Sequence, residues 1–153
     1  MDIKGEYFIP VPRPQVWAAL NDVDVLKQAI PGCDSMNRLS DTEIEATVTA
    51  KVGPVKATFK GQVTLSDLDP PNGYSIRGEG KGGVAGFAKG GAKVRLTDAP
   101  GGTTLQYDVD AAVGGKLAQI GARLIDGTAR KLADEFFAAF SKIATSNANA
   151  GQA

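Results

Sequence analysis

The sequence predicts an α+β fold in which a curved antiparallel sheet of about seven strands wraps around one long C-terminal helix. Three observations support this prediction. Apolar and polar residues alternate with a period of two across most of residues 43–113, interrupted by turns rich in Gly, Pro and Asn. Apolar residues then recur at helical spacing from Leu117 to Ile143. Signals for two short helices follow the first strand.

The N-terminal part of the chain predicts one strand and two short helices. Residues 2–9 are β-prone, and the run ends at Pro10. Pro14 suits the first turn of a helix. Asp22 is a good N-cap for a second helix, which Pro31 and the following glycine end.

The central part predicts a sheet with one apolar and one polar face. Residues 43–52 and 55–65 alternate in this way, and the Gly-Pro pair between them indicates a hairpin turn. Further alternating runs begin at Tyr74 and end at Val113, on either side of a glycine-rich passage at 78–91. The apolar face needs a cover, and the C-terminal helix is the long apolar element left to provide it.

Small side chains on the facing surfaces predict a cavity between the sheet and the helix. Phe136, Phe137 and Phe140 should fill the space under the C-terminal half of the helix, so we expect the vacancy near residues 121–128. The small residues are Ala46, Ala50, Ala57, Gly61, Gly78, Gly80, Ala92 and Ala111 in the strands, and Gly121 and Ala129 in the helix.

Strand parity and the helical stripe together predict which residues line this cavity. Phe87 is assigned by its position in the glycine-rich passage, since parity does not place it. The predicted ligand-binding residues are Phe59, Val63, Phe87, Tyr107, Leu117, Gly121, Leu124 and Ile125.

Composition restricts the domain organisation and the chemistry. The 153 residues suit one domain at 1–144, followed by a polar tail at 145–153 that we expect to be disordered. The absence of His removes the Ser-His-Asp triad and histidine metal sites, and the one cysteine, Cys33, excludes an internal disulfide. We predict no catalytic residue, no metal and no cofactor, because the acids fall on solvent-facing positions.

Charge and hydropathy predict a cytoplasmic protein. The 17 basic and 17 acidic residues give zero net charge, which disfavours nucleic-acid binding. No signal peptide or membrane span is evident. Zero net charge also predicts no polybasic patch, so we expect only transient contact with the inner face of the cell membrane, through residues 82–91 with Val84, Phe87 and nearby lysines.

The chain resembles known proteins at two levels. The helix after the first strand and the order of elements resemble the START-related (SRPBCC) helix-grip superfamily of lipid- and polyketide-binding domains. More narrowly, residues 26–33, 86–94 and 113–121 resemble the family of the G subunit of carbon monoxide dehydrogenase, and the similarity covers roughly residues 1–145. The residues of the helix pattern are Pro14, Val16, Trp17, Leu20 and Asp22.

The resemblance implies a non-catalytic accessory protein of an aerobic molybdenum hydroxylase. Such a protein would bind a quinone or lipid in its cavity and link the enzyme to the membrane or the quinone pool. Two alternatives stay open, a recruitment or assembly factor without a ligand and a cyclase-like enzyme. Because only a short polar segment follows the helix, we expect a shuttle or transient dock and not a permanent anchor.

Two other motifs favour structural roles. Residues 78–83 match G-x-G-x-x-G, with Asp98 twenty positions after Gly78, but dinucleotide binding needs a helix to open at the third glycine. The residues that follow do not predict one. Cys33 has no evident cationic neighbour in the sequence, so we expect a packed thiol and not a reactive one.

Overall fold

The computed structural model of the chain describes residues 1–151, and within them seven strands form one antiparallel sheet in the order β1-β7-β6-β5-β4-β3-β2. The strands are β1 (Asp2–Ile9), β2 (Cys33–Arg38), β3 (Glu43–Val52), β4 (Val55–Asp69), β5 (Gly73–Lys81), β6 (Phe87–Ala99) and β7 (Gly102–Gly114).

Four α-helices and one short 3₁₀ turn, Gly83–Ala85, complete the described part of the chain. The prediction of an α+β fold with a long C-terminal helix and two short helices after the first strand is confirmed. The helices are α1 (Arg13–Leu20), α2 (Val23–Ala29), α3 (Lys116–Gln119) and α4 (Ala122–Gly151).

The register of the sheet places the apolar alternation on one face, the inner face. Ile76 pairs with Ala92, which pairs with Val109, and Tyr74, Val94 and Tyr107 form the next row. Residues opposite one another on neighbouring strands share a face, so these rows all face α4. The intervening lysines, arginines and carboxylates form the outer face, which is exposed.

The hydrophobic core lies at one end of the inner face. Ile9, Leu105 and Phe140 are fully buried there, together with Val16 of α1. Both short helices pack against α4 beside this cluster. Asp22 caps α2 by accepting a hydrogen bond from the Asp24 backbone N–H at 2.9 Å, as its position in the sequence predicts.

α4 continues to Gly151, through residues that the sequence assigns to a tail. Ala144 is buried against the core, and the Thr145 hydroxyl donates a hydrogen bond to the Ser141 carbonyl at 2.7 Å. These contacts extend the helix beyond its apolar stripe. Residues 152–153 lie outside the described residues. No helix within residues 1–151 is long and apolar enough to cross a membrane.

Candidate functional site

The position of α4 leaves space over the middle of the inner face. The helix packs closely on α2, on β1 and on β3, strands that lie at or near the two edges of the sheet. Its backbone comes less close to β5, β6 and β7, which lie between them. An arch of this kind encloses volume wherever the facing side chains are too short to meet.

An aromatic cluster closes one end of this space. Phe137 of α4 stacks between Tyr7 and Tyr107, with ring centroids 5.4 Å and 5.0 Å away. Phe136 meets Phe137 edge-on at 5.0 Å and stacks on Phe140 at 5.7 Å. The space under the C-terminal half of α4 is therefore filled by aromatic rings, as the sequence predicts.

Beyond the aromatic cluster the inner face has a floor of small residues. An open cavity of about 280 Å³, which we call the floor cavity, lies on it; all of its lining residues belong to the sheet and none to α4. Gly90 is required in this floor, because a Cβ there would lie 2.1 Å from the Asp110 carbonyl oxygen. The inward-facing lining residues are Ile76, Gly78, Ala88, Gly90, Ala92, Val109 and Ala111.

A second space of about 570 Å³ lies between β7 and the first turn of α4. Met1, Val113 and Ile125 contribute to its walls, and Ala111 lines both this space and the floor cavity. The two spaces therefore meet at Ala111. They open at the end of the molecule opposite the aromatic cluster.

Four of the predicted lining residues lie at or beside this cavity. Val63 lies against Gly78, where an added Cβ would approach its Cγ2 atom to 3.2 Å. Tyr107 forms part of the closed end, and Ile125 faces β7 from the first turn of α4. Phe59 shares the inner face, with its ring against Gly82.

The other four predicted residues lie elsewhere. Phe87 pairs with Lys81 and Gly114 and so lies on the outer face, with its ring over Gly114. Leu117 is buried in α3, which packs on the 3₁₀ turn. Gly121 and Leu124 are exposed and line an open groove along the start of α4, where Leu124 lies against Gly53 of the β3–β4 turn.

None of the seven inward-facing floor residues is in the predicted lining, and Ala88, Gly90 and Val109 are examples. A signal for them was present in the sequence, since all three share the parity of Ala92 and Ala111 on their strands. The glycine-rich passage hid this parity, because glycine carries no hydropathy pattern.

The lining of the floor cavity carries no ionisable side chain that faces inward. Tyr74 borders the core, where burial raises the pKa of its hydroxyl. Among residues 1–151 no group of three or more His, Cys, Asp or Glu side chains is placed to hold a metal ion. The arrangement is suited to holding an apolar molecule by contact and shape.

The G-x-G-x-x-G match and Cys33 both lie in surroundings that indicate structural roles. Gly78 lies within β5, and Gly83, the third glycine of the G-x-G-x-x-G match, opens only a three-residue 3₁₀ turn. This turn offers no helix N-terminus for a pyrophosphate. The Cys33 thiol donates a hydrogen bond to the Ser35 carbonyl at 3.4 Å, and burial raises its pKa despite the nearby Lys27.

Two depressions on the outer face differ from the cavity in being lined by charges of both signs. One, of about 360 Å³, includes Lys93, Arg95 and Asp108. The other, of about 680 Å³, includes Arg77 and Glu79. Small-molecule sites are lined mainly by apolar residues, so the inner cavity is the stronger candidate site.

Comparison with known proteins agrees with this geometry. The family model that describes the G subunit of carbon monoxide dehydrogenase (CoxG) matches residues 5–145. A search of curated proteins found no match. Among solved structures, a conserved protein from Geobacillus kaustophilus is similar, with 28% identity, a TM-score of 0.89, and coverage of 95% of this chain and 96% of that one.

More distant structures share the fold alone. A protein from Rhizobium leguminosarum is 14% identical, with a TM-score of 0.73 and coverage of 95% and 94% of the two chains. A protein from Thermus thermophilus is 12% identical, with a TM-score of 0.71 and coverage of 96% and 99%.

Proposed function

The chain belongs to the CoxG family, named for the G subunit of carbon monoxide dehydrogenase, and we propose that it binds an elongated apolar ligand, such as a quinone, between its sheet and α4. Family membership points to an accessory role beside carbon monoxide dehydrogenase, in a family that is not catalytic. The proposed ligand would connect the enzyme, a molybdenum hydroxylase, with the quinone pool of the membrane.

The observation that carries this proposal is the contrast between the two halves of the inner face. At the aromatic end Leu65, Leu96 and Leu105 are buried. At the other end Ile76 and Val109, on the same face, are only half-buried. A soluble domain gains stability by covering such apolar surface, at about 25 cal/mol per Å². Leaving it accessible is expected where a ligand supplies the cover.

The dimensions of the site fit a flat ring with an apolar tail. The floor cavity of about 280 Å³ is just below the usual range for ligand sites, roughly 300–1,000 Å³, and the adjoining space extends it towards solvent. Glycines and alanines form the floor, so the backbone itself approaches the ligand. A planar molecule benefits most from a floor without projecting side chains.

A carrier of this kind solves an energetic problem for the partner enzyme. Moving an isoprenoid tail from a bilayer into water costs about 0.8 kcal/mol of free energy per carbon, or about 4 kcal/mol for each five-carbon unit. A cavity that accepts part of the tail offsets this cost. The quinone can then reach an enzyme that does not itself enter the lipid.

Co-purification tests the proposal directly. The protein, purified without detergent, is examined by native mass spectrometry, and an organic extract of the same sample is analysed for quinones and lipids. We expect a bound apolar molecule, and uptake of added quinone by protein that has first been extracted. Empty protein that takes up no quinone would instead favour a recruitment or assembly factor without a ligand.

A further inference from the structure

Three tyrosines lie on the inner face of the sheet, on the core side of the floor cavity. Tyr74 and Tyr107 share one row of the register with Val94, and Tyr7 lies on β1. Each of them brings a hydroxyl into a region formed mainly by apolar side chains. Because a buried hydroxyl normally has a hydrogen-bond partner, each of the three needs an account of its partner.

Two of the three tyrosines belong to the aromatic cluster. Tyr7 and Tyr107 are half-buried and stack on Phe137. The Tyr107 hydroxyl is turned towards β1, because a Cβ atom added to Gly5 would collide with the ring and the hydroxyl of Tyr107. This direction leads away from the floor cavity, which residues of β5, β6 and β7 line.

Tyr74 differs from both in its burial and in its hydroxyl. It is only 7% exposed and meets Trp17 edge-on, with ring centroids 5.3 Å apart. Within residues 1–151 its hydroxyl makes no hydrogen bond, yet no side-chain oxygen or nitrogen in that range is both sealed from solvent and without a partner. The small exposed part of Tyr74 therefore includes its hydroxyl oxygen. This oxygen faces open space although the rest of the side chain is buried.

The position of Tyr74 on β5 places it next to the floor cavity. Ile76, which lines that cavity, is two residues further along the strand and faces the same way. Residues two apart on a strand are about 7 Å apart. Strand side chains stand roughly perpendicular to the sheet, so the Tyr74 ring rises beside the floor. Along β5, a molecule on the floor meets Tyr74 as the first inward-facing polar side chain towards the core.

Packing alone does not explain a hydroxyl at this position. Phenylalanine has the same ring, and the chain uses it at positions 136, 137 and 140 beside the same core. Taking a hydroxyl out of bulk water without a partner costs free energy. A hydroxyl kept at such a cost is expected where a ligand supplies the hydrogen-bond acceptor.

We propose that the Tyr74 hydroxyl donates a hydrogen bond to a carbonyl oxygen of the bound ligand and thereby fixes the orientation of the ligand in the cavity. This inference rests on the proposed function, since it needs an apolar ligand on the floor. The ring that carries the carbonyl then lies at the core end, and the tail runs towards the opening between β7 and α4. Burial raises the pKa of the hydroxyl, so the group stays protonated at neutral pH and acts as a donor.

Such a hydrogen bond selects a neutral carbonyl compound. The inward-facing side chains of the floor are those of glycine, alanine, valine and isoleucine, so a carboxylate would lose its hydration there without gaining a counter-charge. A plain hydrocarbon would leave the Tyr74 hydroxyl unpaired. A quinone has an apolar ring and neutral carbonyl oxygens, and it meets both conditions.

Two probes that differ only in their carbonyl groups test the proposal. Pentylbenzoquinone and pentylbenzene are titrated by equilibrium dialysis against the wild type and against the Tyr74→Phe and Tyr107→Phe variants. Tyr107→Phe is the matched control, because it removes the same group from the same row of the sheet, but from a hydroxyl that points towards β1.

We expect Tyr74→Phe to bind the quinone about three- to tenfold more weakly, which is the effect of one ordinary hydrogen bond. Its affinity for the hydrocarbon should stay within about twofold of the wild-type value, because the hydrocarbon accepts no hydrogen bond. Tyr107→Phe should change the affinities for both probes by the same factor. Equal losses for both probes in Tyr74→Phe, or unchanged quinone affinity, would overturn the proposal.

The infrared spectrum of the bound quinone gives a second readout that does not depend on the variant. In the wild type one of the two carbonyl stretching bands should lie at lower frequency, because a hydrogen bond weakens the C=O bond. Two unshifted bands would contradict the proposal. If the wild type binds neither probe, the proposed function fails, and this inference fails with it. If it binds both but Tyr74→Phe does not discriminate between them, only the role of Tyr74 is refuted.

Discussion

Replacement of Ala111 by Leu tests the cavity from both of its sides. Ala111 lines the floor cavity and the adjoining space beside α4. It already carries a Cβ atom, so the longer side chain avoids the backbone collisions that a substitution of Gly90 would cause. We expect Ala111→Leu to stabilise the protein and to weaken ligand binding.

The size of the effect follows from the space available. Leucine adds three carbons, which at about 0.8 kcal/mol each would contribute about 2.4 kcal/mol if they were fully buried. Because Ala111 is half-buried, we expect a gain of about 1–2 kcal/mol in the free energy of unfolding. In a tightly packed core the same change would cost about 1–3 kcal/mol, so the sign alone is decisive.

Denaturant unfolding and quinone titration give the two measurements. Ala138→Leu is the matched control, because Ala138 is exposed on α4 and the chemical change is the same. We expect Ala111→Leu to bind quinone at least tenfold more weakly, a loss of about 1.4 kcal/mol, and Ala138→Leu to bind normally. A destabilised Ala111→Leu protein with normal quinone affinity would refute the cavity.

Three further predictions concern the rest of the molecule. Phe137→Ala should lower the free energy of unfolding by about 3–5 kcal/mol in denaturant titration, because it removes the ring between two tyrosines. Thr103→Val should cost about 1–2 kcal/mol in the same assay, since the buried Thr103 hydroxyl donates to the Val11 carbonyl at 2.7 Å. Burial raises the pKa of Tyr74 above its ordinary value of 10.0, because it disfavours the charged form. The free energy of unfolding should therefore fall as the pH rises above that value, and the Tyr74→Phe variant should lose less stability over the same pH range.

The fold was predictable because each element carries its own local signal. Alternation of apolar and polar residues identifies the strands, Asp22 identifies the start of α2, and the phenylalanines identify the filled half of α4. The helical periodicity from Leu117 to Ile143 is misleading about the number of helices. The stripe from Leu117 predicts one helix, but Gly121 has a φ of +106° and separates α3 from α4. The residues before Gly121 therefore belong to α3, whose axis differs from that of α4, the helix that carries Ile125.

The site was only partly predictable, because the alternation of inward-facing and outward-facing residues cannot be followed through a turn. Val63 and Tyr107 lie within uninterrupted strands, and parity places them on the inner face. Phe87 follows a 3₁₀ turn with two glycines of positive φ, Gly83 and Gly86, and no count of residues through such a turn preserves the face. Leu124 belongs to the first turn of a helix, where the register against the sheet depends on the preceding break.

Zero net charge conceals a separation of charge between the turns of the sheet for a related reason. Antiparallel strands return every second turn to the same end of the sheet, so the β3–β4 turn, the β5–β6 turn and the link from β7 to α3 become neighbours. They bring Lys51, Lys81 and Lys116 to that end. At the opposite end the turns contribute Asp67, Asp69 and Asp98. The turns at the two ends of the strands therefore carry charges of opposite sign. A chain with the same composition but evenly spaced charges would have no such separation.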